Sequence, residues 1–508
     1  MKKYLMFLLL IICSFGLVGC GKPEVRTIKI YNWSDYIGPG VLDDFVVYYE
    51  ETYGEKIEYV YDTFETNESM YNTLKTGKTQ YDVICPSDYM IQKMMREGML
   101  ETFDFENYDL DVYFKNCSPY LIELFEKYNW TEYAACYMWG TLGLVYNPDT
   151  LEELADGQSY DVNSWNILNN ELFKGEISLK DSVRDAYCVG SLLANQDELK
   201  TVRDQFGINS KEYNNIVQEV SNRVGDEDIE KVFKVLKEIK ENLYGLEVDS
   251  GKGDIVTGKI SMNLAWSGDA VYSMDQAEGY GNYLEYTIPV EGGNVWFDGW
   301  VMPKGADKQL AQAFINYLSF PSVAASNMEE IGYTAAIAGN EIFELIDSWY
   351  GRTRVSDDID YCIQAIESGV DPDTEEPLSD EEIQEYIDWK AELEEATFTE
   401  ENLTYFFKGT LDDDYYTDGE VVVDIYDLYI GRQFSTQYPD EETINRCGVM
   451  MDFEGQNEAV LEMWINFKAN TASIWLIIGL VLFVLIVVGF ILYSKRSYFS
   501  RLKRMKQK

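Results

Sequence analysis

The sequence predicts an α/β protein built in two lobes, with appendages at both ends and one insert. Strand-like apolar runs alternate with helical patterns from Thr27 onward, and such alternation gives a mainly parallel sheet with right-handed crossovers. At 508 residues the chain is too long for one hydrophobic core. Its composition, 46% hydrophobic and 26% charged, is that of folded domains rather than disordered chain.

The first strand is expected over Thr27 to Trp33, followed by a helix from Pro39 to about Thr52 with Val41, Leu42, Phe45 and Tyr49 on one face and Gly54 beyond its end. A second strand covers Lys56 to Tyr61. Asn67 is placed to cap a helix carrying Met70, Tyr71 and Leu74, which Gly77 stops. Tyr81 to Cys85 reads as a third strand, and Tyr89 to Glu97 as a helix stopped by Gly98. Tyr133 to Tyr146 reads as the first crossing between lobes. In the second lobe, Glu176 to Leu179 is a strand, and Asp181 opens a helix running to about Leu193. Further helices follow around Lys211 to Val224 and Glu227 to Asn242, the latter with a 3.6-residue stripe of Ile229, Val232, Val235, Leu236 and Ile239. Lys259 to Trp266 reads as a buried strand.

Two strand ends carry aromatic and polar residues together: Trp33-Ser34-Asp35-Tyr36 after the first strand and Pro86-Ser87-Asp88-Tyr89 after the third. Trp266-Ser267-Gly268-Asp269 and Trp296-Phe297-Asp298 repeat the combination later. Ligands of open α/β folds sit beyond the carboxyl ends of strands. Ring faces attract an organic cation through their quadrupoles while a carboxylate pairs with it. Ordinary packing of aromatics against helices accounts equally well for any one of these stretches taken alone.

Both chain ends address a membrane. Lys2 and Lys3 precede a short apolar run that ends in Leu17-Val18-Gly19-Cys20, which looks like a lipoprotein leader (1–19) with Cys20 as the lipidated residue. Ile474 to Tyr493 is an apolar span of bilayer length flanked by Trp475 and Tyr493. The basic residues of 494–508 then mark a cytoplasmic tail, which places everything between on the extracytoplasmic face of the plasma membrane. The net charge of −48 argues against a nucleic-acid partner and suits a cationic one. With no histidine in the chain, Ser-His and Cys-His nucleophilic pairs and histidine zinc sites are absent, so no catalytic residue, metal or cofactor is assigned. Cys85, Cys117, Cys136, Cys188, Cys362 and Cys447 are scattered; Cys117 and Cys136 are the nearest pair along the chain, and isolated thiols are as consistent with the spacing.

The phrases YNWSDYI (31–37), TNESMY (66–71), YDVICPSDY (81–89), FKG (173–175), AWSGDA (265–270), EGGNVWFDGWVMP (291–303) and EEIGYTAA (329–336) resemble, in one register, the spermidine/putrescine-binding proteins. These are the extracytoplasmic substrate-binding components of polyamine ABC importers. The resemblance covers about 27–340 and resumes at YPDEETI (438–444). It implies a two-lobed periplasmic-binding-protein-like fold (type II), with mixed, mainly parallel sheets flanked by helices; the C-terminal transmembrane helix read from the apolar span 474–493 is an extension beyond the family pattern. Lobes are expected at 27–138 with 297–340, and at 139–296 with 430–470. The resemblance also implies ligand-binding roles for Trp33, Ser34, Asp35, Tyr36, Ser87, Tyr89, Asp185, Trp266, Asp269, Trp296, Asp298 and Tyr333. Ser182 stands where the family often has an acid, and Met450 where it has a glutamine. The pocket's far end therefore differs, and the choice between a diamine and a longer polyamine stays open. The expected ligand is putrescine or spermidine, and the expected partners are ABC permease subunits.

An acidic insert at 341–429 interrupts the pattern and reads as a solvated, separately folded decoration or a contact surface, with a helix capped by Ser379 and Glu382 and a strand-like Glu420 to Tyr429. Asp371, Asp373, Glu375 and Glu382 fall at calcium-loop spacing, but Glu376 occupies the glycine position. The alternatives are a membrane-tethered sensor or adhesion protein on a solute-binding fold, or a binder of another small solute.

Overall fold

The computed structural model describes residues 25–426 and 428–469. The leader 1–19, Cys20, the apolar span 474–493 and the tail 494–508 lie outside the described residues. Among the described residues no helix is long and apolar enough to cross a membrane.

In chain order the strands are β1 (Arg26–Trp33), β2 (Ile57–Phe64), β3 (Val83–Ile84), β4 (Leu100–Glu101), β5 (Ala134–Tyr146), β6 (Ile177–Lys180), β7 (Leu243–Glu247), β8 (Met262–Trp266), β9 (Glu285–Thr287), β10 (Gly293–Pro303), β11 (Thr334–Ala335), β12 (Phe398–Asn402), β13 (Val422–Tyr426) and β14 (Cys447–Val449). The main sheet runs β2-β1-β3-β10-β5-β8-β6-β7. Its flanks are parallel, β2-β1-β3 on one side and β8-β6-β7 on the other, as strand-helix alternation requires, but every pairing along β3-β10-β5-β8 is antiparallel, so the sheet is mixed rather than mainly parallel.

The two flanks form two lobes, and the strands between them are antiparallel and long. β5 and β10 are buried at every position, because each is covered on both faces. β10 pairs with β3 of the first lobe at Val301 and with β14 at Gly293 to Val295, while β5 continues through Leu142 to Tyr146 onto β8 of the second. The polypeptide thus crosses between lobes along two paired strands, and the register of that pair shifts between Asp298 and Gly299. A bulge of this kind turns a side chain away from the regular alternation.

Local chemistry explains most element ends. Gly54 and Gly77 terminate their helices in the left-handed region, as expected. One cap differs: Thr66, not Asn67, accepts from the Ser69 amide and closes a reciprocal capping box, which frees the Asn67 side chain for other use. The helix expected from Asp181 runs Val183–Ala194 with the Ser182 hydroxyl as its cap. The six cysteines among the described residues are free thiols, five of them buried.

The acidic stretch after Asn340 folds by itself only in part. Helices Arg352–Ser368 and Asp380–Glu394 close a small core of Val355, Cys362 and Leu393, and Ser379 with Glu382 forms the expected capping box. Ile342, Ile346, Phe406 and Phe407, however, belong to the first lobe's main core, and Phe406 stacks on Trp139 of β5 at 5.7 Å. A solvated decoration would not bury two phenylalanines in its host. The strand-like end is also shorter than expected: β13 stops at Tyr426, and a helix spans Leu428–Gln437. A second compact unit begins at Gly455 and contains the helix Asn457–Lys468, on which Trp464 and Phe467 stack at 4.9 Å.

Candidate functional site

The carboxyl ends of β1, β6, β7 and β8, together with the β10 bulge, present one continuous set of aromatic and charged side chains. Asp298 stands at the bulge and is 6% exposed. Its Oδ2 accepts from the Tyr36 hydroxyl at 2.8 Å and its Oδ1 from the Ser87 hydroxyl at 2.6 Å. An isolated antiparallel bridge between Ser87 and Asp298 holds the two backbones together. Ser87 is in turn fixed by Asn67, whose Nδ2 donates to Ser87 Oγ (3.0 Å) and to the Tyr89 hydroxyl (3.1 Å) and whose Oδ1 accepts from the Ser87 amide (3.1 Å). The Tyr89 hydroxyl donates to Glu68 at 3.2 Å.

From Tyr36 the rings continue toward Asp269. Tyr333 meets Tyr36 edge-on at 5.8 Å and Trp296 at 5.6 Å, and its hydroxyl donates to Asp269 Oδ1 at 2.8 Å. Glycine makes this closeness possible. A Cβ on Gly268 would lie 1.7 Å from the Tyr333 ring, and one on Gly140 would lie 2.4 Å from Ser267 Oγ and 2.7 Å from Trp296. Asp269 sits in the first turn of the helix Ser267–Glu278 and is ion-paired at 2.8 Å with the wholly buried Lys180, which also lies 2.9 Å from Glu247 and 4.4 Å over the Trp266 ring.

The acids differ in their electrostatic state. Burial pushes the Asp298 carboxyl up to about 6, against the hydrogen bonds of Ser87 and Tyr36, with the Asp185 charge adding to the rise. Burial raises Asp185 as well, opposed by the Ser182 hydroxyl and the charges of Lys180 and Arg184. Asp88, 1% exposed, is driven well above the usual carboxylate range by burial and by its acidic neighbours, although Arg184 works the other way. Its Oδ1 accepts from the Tyr89 amide at 2.6 Å, while its Oδ2 has no hydrogen-bond partner among the described residues. Asp269 is the exception. Burial would raise it, but Lys180 and Lys252 hold it below the ordinary range.

Of the residues singled out in the sequence, Tyr36, Ser87, Asp298, Tyr333, Trp296 and Asp269 are brought into one chain of contacts, with Trp266 joined through Lys180 and Tyr89 through Asn67. Asp185 is buried and coupled to Asp298 by charge. The Trp33-Ser34-Asp35 step lies further out: Ser34 and Asp35 are exposed, Asp35 adopts a left-handed φ of 51°, and Ser34 donates to Glu65 at 3.3 Å. Trp33 leans on Phe64 at 4.6 Å, and its indole nitrogen is buried without a partner among the described residues. Met450 is buried, and its carbonyl accepts from Gln92 at 3.0 Å. Asn67, Lys180 and Glu247 are not marked by the sequence as site residues, and Asp88 is marked only as part of the Pro86-Ser87-Asp88-Tyr89 strand end. Lys180 and Glu247 each close an apolar strand with a charge, which was the available signal. Asn67 resembled a helix cap and gave none.

Two lobes joined by paired crossing strands, with acids and rings gathered at strand ends, define a solute-binding protein. The chain belongs to the bacterial extracellular solute-binding protein family, whose model matches residues 45–341. That family consists of substrate-binding proteins, not enzymes. The spermidine/putrescine-binding periplasmic protein of Escherichia coli is 28% identical over 328 residues, which cover 63% of this chain and 80% of that one. The putrescine-binding periplasmic protein SpuD of Pseudomonas aeruginosa is 29% identical over 334 residues, 64% of this chain and 82% of its own length. The solved structure of the spermidine/putrescine ABC transporter substrate-binding protein PotD from Streptococcus pneumoniae superposes with a TM-score of 0.51 at 24% identity, covering 87% of this chain and 98% of that one. This last similarity is one of fold.

Proposed function

We propose that the chain is a membrane-held extracytoplasmic receptor that closes its lobes on a polyamine and delivers it to an ABC permease. On this reading the first lobe is 27–138 with 297–340, the second 139–296 with 430–470, and 341–429 is the insert. The Cys20 lipid and the 474–493 span keep the receptor at the membrane. The observation that carries the reading is Asp298: a buried carboxylate oriented by Tyr36 and Ser87 beside a run of rings, raised in pKa by burial and the Asp185 charge, with Asp185 raised by burial and Asp88 by burial and the charges of both. Such a cluster gains most from a cation.

Magnitudes say where affinity must come from. A four-carbon diamine buries four methylenes worth roughly 0.8 kcal/mol each, about 3 kcal/mol together, which alone gives no better than millimolar binding. Ring faces add about 0.5–2 kcal/mol per desolvated cation contact. The carboxylates therefore decide affinity, and their spacing decides ligand length. Deleting the gene in its host tests the transport role: uptake of labelled putrescine or spermidine should fall, and the gene supplied in trans should restore it. Unchanged uptake with altered adhesion or signalling would favour a sensor.

A further inference from the structure

Lys180 ends β6 and Glu247 ends β7, and the two are register partners in adjacent parallel strands. The Lys180 ammonium is wholly buried. It donates to Asp269 Oδ2 at 2.8 Å and to the Val248 carbonyl at 3.1 Å, lies 2.9 Å from Glu247 Oε1, and rests 4.4 Å over the Trp266 ring. Two carboxylates, a carbonyl and an indole face are the groups that would hold a free alkylammonium. Asp269 is tied to the rest of the cleft by the Tyr333 hydroxyl, and Lys252 approaches its other oxygen at 3.6 Å. At this end the chain's own ammonium meets the acids, whereas among the described residues Asp298 is met by the Tyr36 and Ser87 hydroxyls.

We propose that Lys180 is a tethered ammonium filling the seat at the Trp266–Asp269 end of the cleft, so that the receptor selects a short diamine against a triamine. The inference rests on the polyamine reading of the cleft. A third ammonium reaching toward Trp266 would meet a like charge with its acceptors already engaged, and such juxtaposition is a device for rejecting the wrong ligand.

The test is calorimetric titration of the full chain in detergent with putrescine and with spermidine, for the wild type, Lys180→Met and Lys180→Met/Glu247→Gln. The wild type should bind putrescine more tightly by about tenfold or more, and opening the seat should shrink or invert that ratio. The double variant also removes one of the acids left unpaired, in case the single variant fails to fold. Wild-type binding of spermidine as tight as putrescine overturns the inference whatever the variants do. So does a folded variant that keeps the wild-type ratio. Absence of binding by the wild type to either amine would instead sink the polyamine reading itself.

Discussion

The Asp298 carboxyl, raised from 3.8 to about 6, carries a cost in the ligand-free chain of about 3 kcal/mol at neutral pH, at 1.36 kcal/mol per unit. Its folded value lies above its unfolded one. Between about pH 4 and about pH 6 the folded chain therefore holds a proton there that the unfolded chain has lost. The stability contributed by this group falls as pH rises through that window, and the raised Asp185 and Asp88 act in the same direction. A bound ammonium reverses the sign, because it favours the ionised form. Putrescine affinity is predicted to weaken as pH drops from 7.5 to 5, with protons released on binding near pH 6. Titrations in two buffers of different ionisation enthalpy measure that release, and equal heats in both would remove Asp298 from the contact. Asp298→Asn keeps the size but not the charge, and its single amide oxygen can accept from only one of the Tyr36 and Ser87 hydroxyls; it is predicted to weaken binding by more than about tenfold, or 1.4 kcal/mol, at pH 7.5. An unchanged affinity would take the residue out of the site.

At the scale of elements, the site depends on how closely the helix Ser267–Glu278 approaches Tyr333. Gly268 lies in the first turn of that helix with no room for a side chain, since an added Cβ would stand 1.7 Å from the Tyr333 ring. Gly268→Ala must move Tyr333 away from Asp269 and Trp296. Affinity is predicted to fall about tenfold or more while folding is kept, by the general sensitivity of preorganised sites to small displacements. A variant that melts like the wild type and binds like it would show that the ring is not part of the site. The β10 bulge works on the same scale, for a strand without it would not point Asp298 at both Tyr36 and Ser87. The acidic stretch after Asn340 is likewise part of the first lobe's core through Phe406 and Phe407, so it cannot be removed without opening a cavity beneath Trp139.

At the scale of the molecule, much was legible in the sequence because it is periodic or punctuated. Alternating strands and helices announced the parallel flanks, Gly54 and Gly77 stopped their helices, and of the aromatic-acid phrases Tyr36, Ser87, Asp269 and Asp298 come together, whereas Ser34 and Asp35 stay exposed and Asp298 sits at a bulge inside β10 rather than at a strand end. What was not legible depends on contacts distant along the chain. Asn67 carries the same local signal as a helix cap, and only the approach of β3 makes it a clamp for Ser87 and Tyr89. Lys180 is a charge at the end of a four-residue strand, and its partners lie 67 and 89 positions away, beyond any local pattern. The insert misled because its composition is acidic while a few phenylalanines decide where it packs. The net charge of −48 bears on the encounter rather than the site, since a cation is drawn toward the chain before any specific contact forms.

On the proposed function, Asp298 and its neighbouring rings hold a polyamine. Calorimetric titration of the full chain with putrescine, cadaverine and spermidine at pH 7.5 tests it most directly. Saturable binding of one molecule per chain is expected for at least the diamines, lost or weakened in Asp298→Asn. No heat with any of the three amines, from protein that melts cooperatively, would contradict it.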